Sequence, residues 1–203
     1  MALAAGIVAV GTSISAQAPA AAQVDASKIT GGNYTMDPAH TLIGWRVNHF
    51  GINDYFGLFG LPTGTLVLDP ANPSAAKLEV TIPVTKVTTA NPALTAHLLR
   101  APAEGKAPDF FGPTPADAKY VSTSVTVNGQ QATIVGNLTL NGQTHPVTLH
   151  ATLAGAGSNP MSKKEEVGFH ATGELNRSDF GVAYAVPMVS DRVGLEITAA
   201  FEK

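Results

Sequence analysis

YTMDPAHTLIGWRVNHFGINDYFGLFG, residues Tyr34 to Gly60, carries the pattern that decides the fold. Ile43, Trp45, Val47 and His49 alternate with Leu42, Gly44, Arg46 and Asn48. Successive side chains of a strand face opposite sides, so Thr41 to His49 predicts a strand with one apolar face. Arg46 and Asn48 mark its solvent face, and His49 is the polar exception on the other. Gly51 to Asp54 predicts a turn. Phe56 to Asp69 predicts a second strand, made irregular by Pro62, Gly57, Gly60 and Gly64 as at a bulge or a barrel bend. Before the first strand, Asp37 and His40 predict a hydrogen-bonded entry.

The pattern repeats down the chain. Lys77 to Val84 points Leu78, Val80, Ile82 and Val84 inward. Asn91-Pro92 opens the one expected helix, running to about Arg100 with Leu94 and Leu98 on one side, because Asn caps and Pro suits the first turn. Ala101 to Asp117, with prolines and glycines around Asp109-Phe110-Phe111, predicts a loop with an aromatic anchor. Strands follow at Tyr120–Val127, Gln131–Leu140, Pro146–Leu153, Val167–Leu175 and Asp191–Glu202, with a flexible loop at Ala154–Lys164. Asn128-Gly129 and Asn141-Gly142 between alternating runs are hairpin signals, since both residue types tolerate positive φ. Eight strands in antiparallel succession, with one short helical insertion, predict an all-β up-and-down barrel. Closure removes exposed edges, and a barrel of this size can hold one ligand. A two-sheet sandwich is the alternative.

Composition narrows the function. A net charge of −3 without a basic run argues against nucleic acid as a partner. The absence of cysteine excludes disulfides, thiolate chemistry and cysteine-ligated zinc. Residues 1–22 carry no charge, and an apolar run from Ala2 to Val10 leads to small residues ending Ala20-Ala21-Ala22. This predicts a signal peptide cleaved before Gln23, although a positive n-region is missing. Residues 23–33 are expected to be a flexible lead to a domain spanning 34–203. No segment of the mature chain is apolar for long enough to predict an integral membrane span.

Catalytic signals are weak. There is no G-x-S-x-G elbow and no glycine-rich phosphate loop, so an enzyme is not expected, and no cofactor. A metal or enzymatic site would need His40, His49 and His97 to converge from separate elements. His150 and His170 have outward parity. The candidate ligand-binding set is instead the inward apolar faces: Ile43, Trp45, Val47, His49, Phe59, Leu61, Leu78, Val80, Ile82 and Phe169. Leu98 of the helix, Phe110 and Phe111 of the loop, and Phe180 join it. Gly136, Ala171, Gly173 and Ala199 could leave room inside. A solid structural or stress-response barrel, filled by its own side chains, is the other alternative.

Taken in order, several motifs resemble the YceI-like family. They begin with Tyr34-x-x-Asp37-Pro38-x-His40-Thr41, Val47-x-His49 and Gly57-x-Phe59. His97-Leu98, Asp109-Phe110-Phe111 and Lys119-Tyr120-Val121-Ser122-Thr123 continue the match. Gly136-x-Leu138-Thr139-Leu140-x-Gly142, Arg177-Ser178-Asp179-Phe180-Gly181 and Val189-Ser190-Asp191-x-Val193-x-Leu195-x-Ile197 complete it. The resemblance implies a lipocalin-like barrel exported to the periplasm. It also implies a non-enzymatic carrier holding a polyisoprenoid, prenyl quinone or similar lipid. Members of the family are sometimes dimeric, so a homodimer is among the expected assemblies. The chain departs from the family pattern at Thr95-Ala96, where relatives carry Arg-Asp, at a lengthened Ala101–Pro108, and at Pro62, where many have an aromatic residue. Burying about ten methylene-like units at about 0.8 kcal/mol each gives about 8 kcal/mol before ordering costs, enough for micromolar binding without a charged contact.

Overall fold

The structure, a computed structural model, describes residues 24–203. The segment read as a signal peptide, residues 1–22, lies outside the described residues. The first half of the sheet is built from β1 (Gly32–Met36), β2 (Leu42–His49), β3 (Asn53–Gly60), β4 (Thr63–Leu68), β5 (Lys77–Ile82) and β6 (Val87–Thr89). The helix α1 (Pro92–Leu98) precedes β7 (Ala118–Asn128), β8 (Gln131–Leu140), β9 (Gln143–Ser158), β10 (Glu165–Asn176) and β11 (Arg192–Glu202). All neighbours pair antiparallel in the order β1-β4-β5-β7-β8-β9-β10-β11-β2-β3-β6, and β1 also pairs with β11, closing the sheet.

These strands make eight staves. β1 and β2 both lie along β11, through Met36↔Phe201 and Leu42↔Thr198, so they are halves of one stave. Likewise β3 and β4 pair with β2 and β1, and β5 and β6 pair with β4 and β3. Each of these three staves breaks beside a proline: Pro38, Pro62 or Pro83. Proline has no N–H to give the ladder, so a stave that must bend does so there. At the first break the Asp37 carboxylate accepts from the Ala39 and His40 amides and from His40 Nδ1 at 2.6 Å. Gly32–Met36, before this break, already forms the strand β1.

Local chemistry explains the other joints. Asn91 caps α1 by accepting from the Ala93 and Leu94 amides. Asn141 and Gly142 have φ of 51° and 77°, the paired positive values of a tight hairpin turn. At the other hairpin the pairing Asn128↔Gln131 moves the loop to Gly129-Gln130, one residue later than the sequence reading. Inside, alternation holds: Val147, Leu149, Ala151 and Leu153 of β9 are buried between exposed neighbours. No helix among the described residues is long and apolar enough to cross a membrane.

The two ends differ. One is closed by the loop from Arg177 to Asp191, built around the buried Arg177. Its Nε donates to Ser190 O at 2.9 Å, its Nη1 to Val182 O and Tyr184 O at 2.8 Å, and its Nη2 to Val189 O at 2.9 Å. Asp191 accepts from the amide and hydroxyl of Ser178. Beneath the loop, Phe180 is almost fully buried with its ring edge-on to His145.

At the other end the expected flexible lead packs against the barrel. Val24 O accepts from Gln130 Nε2 at 2.9 Å, and Ile29 packs on the core. The Thr30 amide and hydroxyl and the Tyr34 hydroxyl all donate to the Glu165 carboxylate. Burial alone would raise the Glu165 carboxyl, but the bonds from Tyr34 and Thr30 and the nearby Lys203 ammonium hold it at about 2. Burial, then Glu165, push the Tyr34 phenol up to about 12. A carboxyl depressed in the folded state adds stability above its unfolded pKa and loses it as pH falls toward the folded value. The difference in stability between wild type and Glu165→Gln is therefore expected to shrink, by on the order of 1–2 kcal/mol, as pH drops from 4.5 to about 2. Urea midpoints across that window measure it; a constant difference would contradict the assignment.

Candidate functional site

The barrel encloses a cavity of about 440 Å³. Its width comes from one inward row across five strands: Val127, Ala132, Ala151, Ala171 and Ile197, each the register partner of the next. Three successive alanines leave the space that larger side chains would fill, and all five residues line the cavity. Ala26, Ile29, Pro70, Pro73, Gln130 and Gln131 also line it, so the cavity runs out between the lead and the turns at that end. Toward the other end its wall runs past Val84, Tyr120, Leu138 and Val147 to Leu140 and Leu175. No lining residue is Lys, Arg, His, Asp or Glu.

Three large side chains each lie over a glycine on the neighbouring strand: Trp45 over Gly57, Tyr120 over Gly136, and Leu149 over Gly173. Gly136 and Gly173 thus leave room by letting a neighbour lie against the wall, whereas Ala171 and Ala199 face the cavity directly. Tyr120 Oη donates to the Ile134 and Val147 carbonyls at 3.2 Å, and burial pushes the phenol up to about 12. A Cβ on Gly136 would sit 2.4 Å from Tyr120 Cζ. Gly136→Ala is therefore expected to drive the ring off the wall and into the cavity, at a cost of about 1–3 kcal/mol. Urea unfolding measures this; an unchanged midpoint would contradict it.

Of the candidate set, Ile43, Phe59, Leu78, Val80, Ile82 and Phe169 line the cavity. Trp45, Val47, His49, Leu61, Leu98, Phe110, Phe111 and Phe180 do not. Trp45, Val47 and His49 share the face of Ile43 but lie farther along β2; His49 bridges Val189, and its ring is 4.0 Å from that of Phe50. Leu61 has φ 56° at the stave break and is half exposed. Phe110 stacks with His97 and Tyr184, and Phe111 backs Phe59 edge-on at 6.0 Å. Leu98 is buried at the end of α1, and Phe180 beneath the end loop.

The sequence reading missed Val125 and Val127 because a bulge between Ser122 and Ser124 shifts the parity set by Tyr120. It missed Ala26 and Ile29 because the lead reads as polar, and no local signal shows that it packs. The histidines of the metal alternative stay apart in function. His40 is bonded to Asp37, and His97 Nε2 lies 2.8 Å from Asp109, which also pairs with Arg100. Hydrogen bonds from His97 and Arg100 lower the Asp109 carboxyl. Among the described residues no three His, Cys, Asp or Glu side chains are grouped to hold a metal ion. The cavity itself speaks against a solid barrel.

A closed eight-stave barrel around an apolar cavity, with one helix, defines a lipocalin-like all-β protein. The YceI-like domain profile matches residues 34–201, and the chain belongs to the YceI-like family. Protein YceI of Shigella flexneri is 37% identical over 160 residues, spanning 78% of this chain and 80% of that protein. Protein YceI of Escherichia coli O157:H7 is 36% identical over the same shares. Among solved structures, the YceI protein of Campylobacter jejuni has TM-score 0.63 at 26% identity, covering 77% of this chain and 89% of its own. Burkholderia cenocepacia BcnA has TM-score 0.67 at 21% identity, covering 81% and 98%. A polyisoprenoid binding domain from Saccharophagus degradans has TM-score 0.56 at 11% identity, covering 83% and 97%. The last two likenesses are of fold.

Proposed function

We propose that the protein is an exported, periplasmic, non-enzymatic carrier. It holds one long hydrophobic ligand, a polyisoprenoid, prenyl quinone or similar lipid, inside the barrel. The observation that carries this reading is the cavity: about 440 Å³, apolar almost throughout, and without a charged side chain on its wall. Such a space favours a hydrocarbon chain and penalises a charged molecule, whose desolvation nothing there would offset. Membership of the YceI-like family and the polyisoprenoid binding named for the Saccharophagus degradans domain support the ligand class. The uncharged apolar opening of residues 1–22 supports export.

The ligand's chain length follows from volume. At roughly 30 Å³ per small group, about the share of a water molecule, the cavity takes roughly 15 methylene-sized units. A longer chain would trail out between the lead and the Gly129-Gln130 turn. Organic extraction of protein purified from its own host, followed by mass spectrometry, tests the reading. A lipid in near-stoichiometric amount is expected. Protein that carries no lipid, and takes up neither prenyl quinones nor fatty amides when delipidated, would overturn it.

A further inference from the structure

The segment before β1 is held to the rim of the barrel very unevenly. Its root is Thr30, whose amide and hydroxyl donate to the Glu165 carboxylate at 2.8 and 2.7 Å. The Lys203 ammonium donates to the Thr30 hydroxyl and, at 2.7 Å, to Gly31 O. Along residues 24–29 there is no such clasp. Among the described residues, the one hydrogen bond from this stretch to the barrel is that of Gln130 Nε2 to Val24 O, at 2.9 Å. No sheet ladder holds it either, since β1 starts at Gly32.

The stretch is nevertheless folded in itself. Asp25 caps the 3-10 turn Ala26–Lys28 by accepting from the Ser27 amide, and the Lys28 and Ile29 amides return to Asp25 O and Ala26 O. It is also two-faced. Val24 and Ile29 pack on the core, and Ala26 and Ile29 line the cavity, whereas Asp25, Ser27 and Lys28 are exposed. A short unit with an apolar underside, fixed at its root and held by a single bond at its far end, moves as a body about that root. Lifting it breaks one hydrogen bond and bares Ile29, a small cost beside opening any stave, whose ladder bonds would have to break together.

Resting on the carrier reading above, we propose that residues 24–29 are a strap over the mouth of the cavity, and that ligand enters and leaves by lifting it. Lifting removes Ala26 and Ile29 from the wall and opens the end ringed by Pro70, Pro73 and Gln130. With the strap down, Ala26 and Ile29 complete the apolar surface around the bound chain; with it up, that end of the chain meets water. Gln130 sets how readily the strap lifts, because its side-chain amide makes the bond at the free end. The strap thereby paces exchange of the ligand, as lids do in other enclosed sites.

The chain has no cysteine, so two introduced thiols react alone. Val24→Cys and Gln130→Cys, made together and joined through two disulfides by a short bis-thiosulfonate reagent, lock the strap down, and a reductant releases it in the same sample. Farnesol is the probe, and its exchange for the deuterated form is followed by native mass spectrometry. The linked protein is expected to take up and release farnesol at least ~10-fold more slowly than the reduced protein. Gln130→Ala in the otherwise unaltered chain is expected to release it roughly 2- to 10-fold faster than wild type, the worth of one hydrogen bond. Equal rates with the strap linked and freed overturn the proposal, while farnesol binding still upholds the carrier. Release from Gln130→Ala no faster than from wild type overturns it as well. Wild type that binds no farnesol overturns both readings.

Discussion

Arg177→Ala is expected to be the most damaging single substitution in the described barrel, lowering stability by about 3–5 kcal/mol. The guanidinium is buried, and burial lowers its pKa, yet it is held in place by bonds to the carbonyls of Val182, Tyr184, Val189 and Ser190. Those carbonyls belong to a loop without regular structure, so no sheet ladder is available to satisfy them. Truncation to alanine removes all these donors together and leaves a cavity beneath the loop. Arg177→Lys would keep the charge but could not span the carbonyls with a planar fork, so it should recover only part of the loss. Urea or thermal unfolding measures both variants. An alanine variant within about 1 kcal/mol of wild type would contradict the account of the closed end.

Ala171→Phe is expected to weaken ligand binding by roughly two orders of magnitude while leaving the fold intact. Ala171 is the last alanine of the row, between Ala151 and Ile197, and faces the cavity. A phenyl ring there occupies space that would otherwise take roughly four methylenes of ligand. At about 0.8 kcal/mol each that is about 3 kcal/mol, or roughly 100-fold in affinity. Because the ring enters open space and not a filled core, the usual penalty for overpacking does not apply, and stability should hold or rise slightly. Titration with a prenyl chain and a parallel unfolding curve separate the two effects. Unaltered affinity would mean that the ligand does not use this part of the barrel.

The sequence made the barrel legible because alternation survives in most staves. Ile43 to His49, Leu78 to Ile82 and Val193 to Phe201 all keep one face inward, and the prolines and glycines near Pro62 announce a bend. What parity does not encode is height along the barrel. Ile43 and His49 share a face, but only the first reaches the cavity, because β2 continues past the cavity's end. Bulges hide more. The irregularities at Ser122–Ser124 and opposite Gly168–Phe169 reverse parity within a strand, which concealed Val125 and made β9 read as ending at Leu153, although it runs on to Ser158. The alanine row is the clearest case of information spread too widely for local reading. Ala132, Ala151 and Ala171 are unremarkable one by one and define a cavity only when the register sets them side by side.

In the carrier proposed above, one hydrophobic chain occupies the space above that row. Native mass spectrometry of the delipidated protein titrated with a prenyl chain, run on wild type and Ala171→Phe side by side, tests it most directly. Wild type is expected to form a complex of one chain per barrel, and Ala171→Phe none at the same concentration. Equal uptake by the two proteins, or several chains bound without saturation, would contradict it.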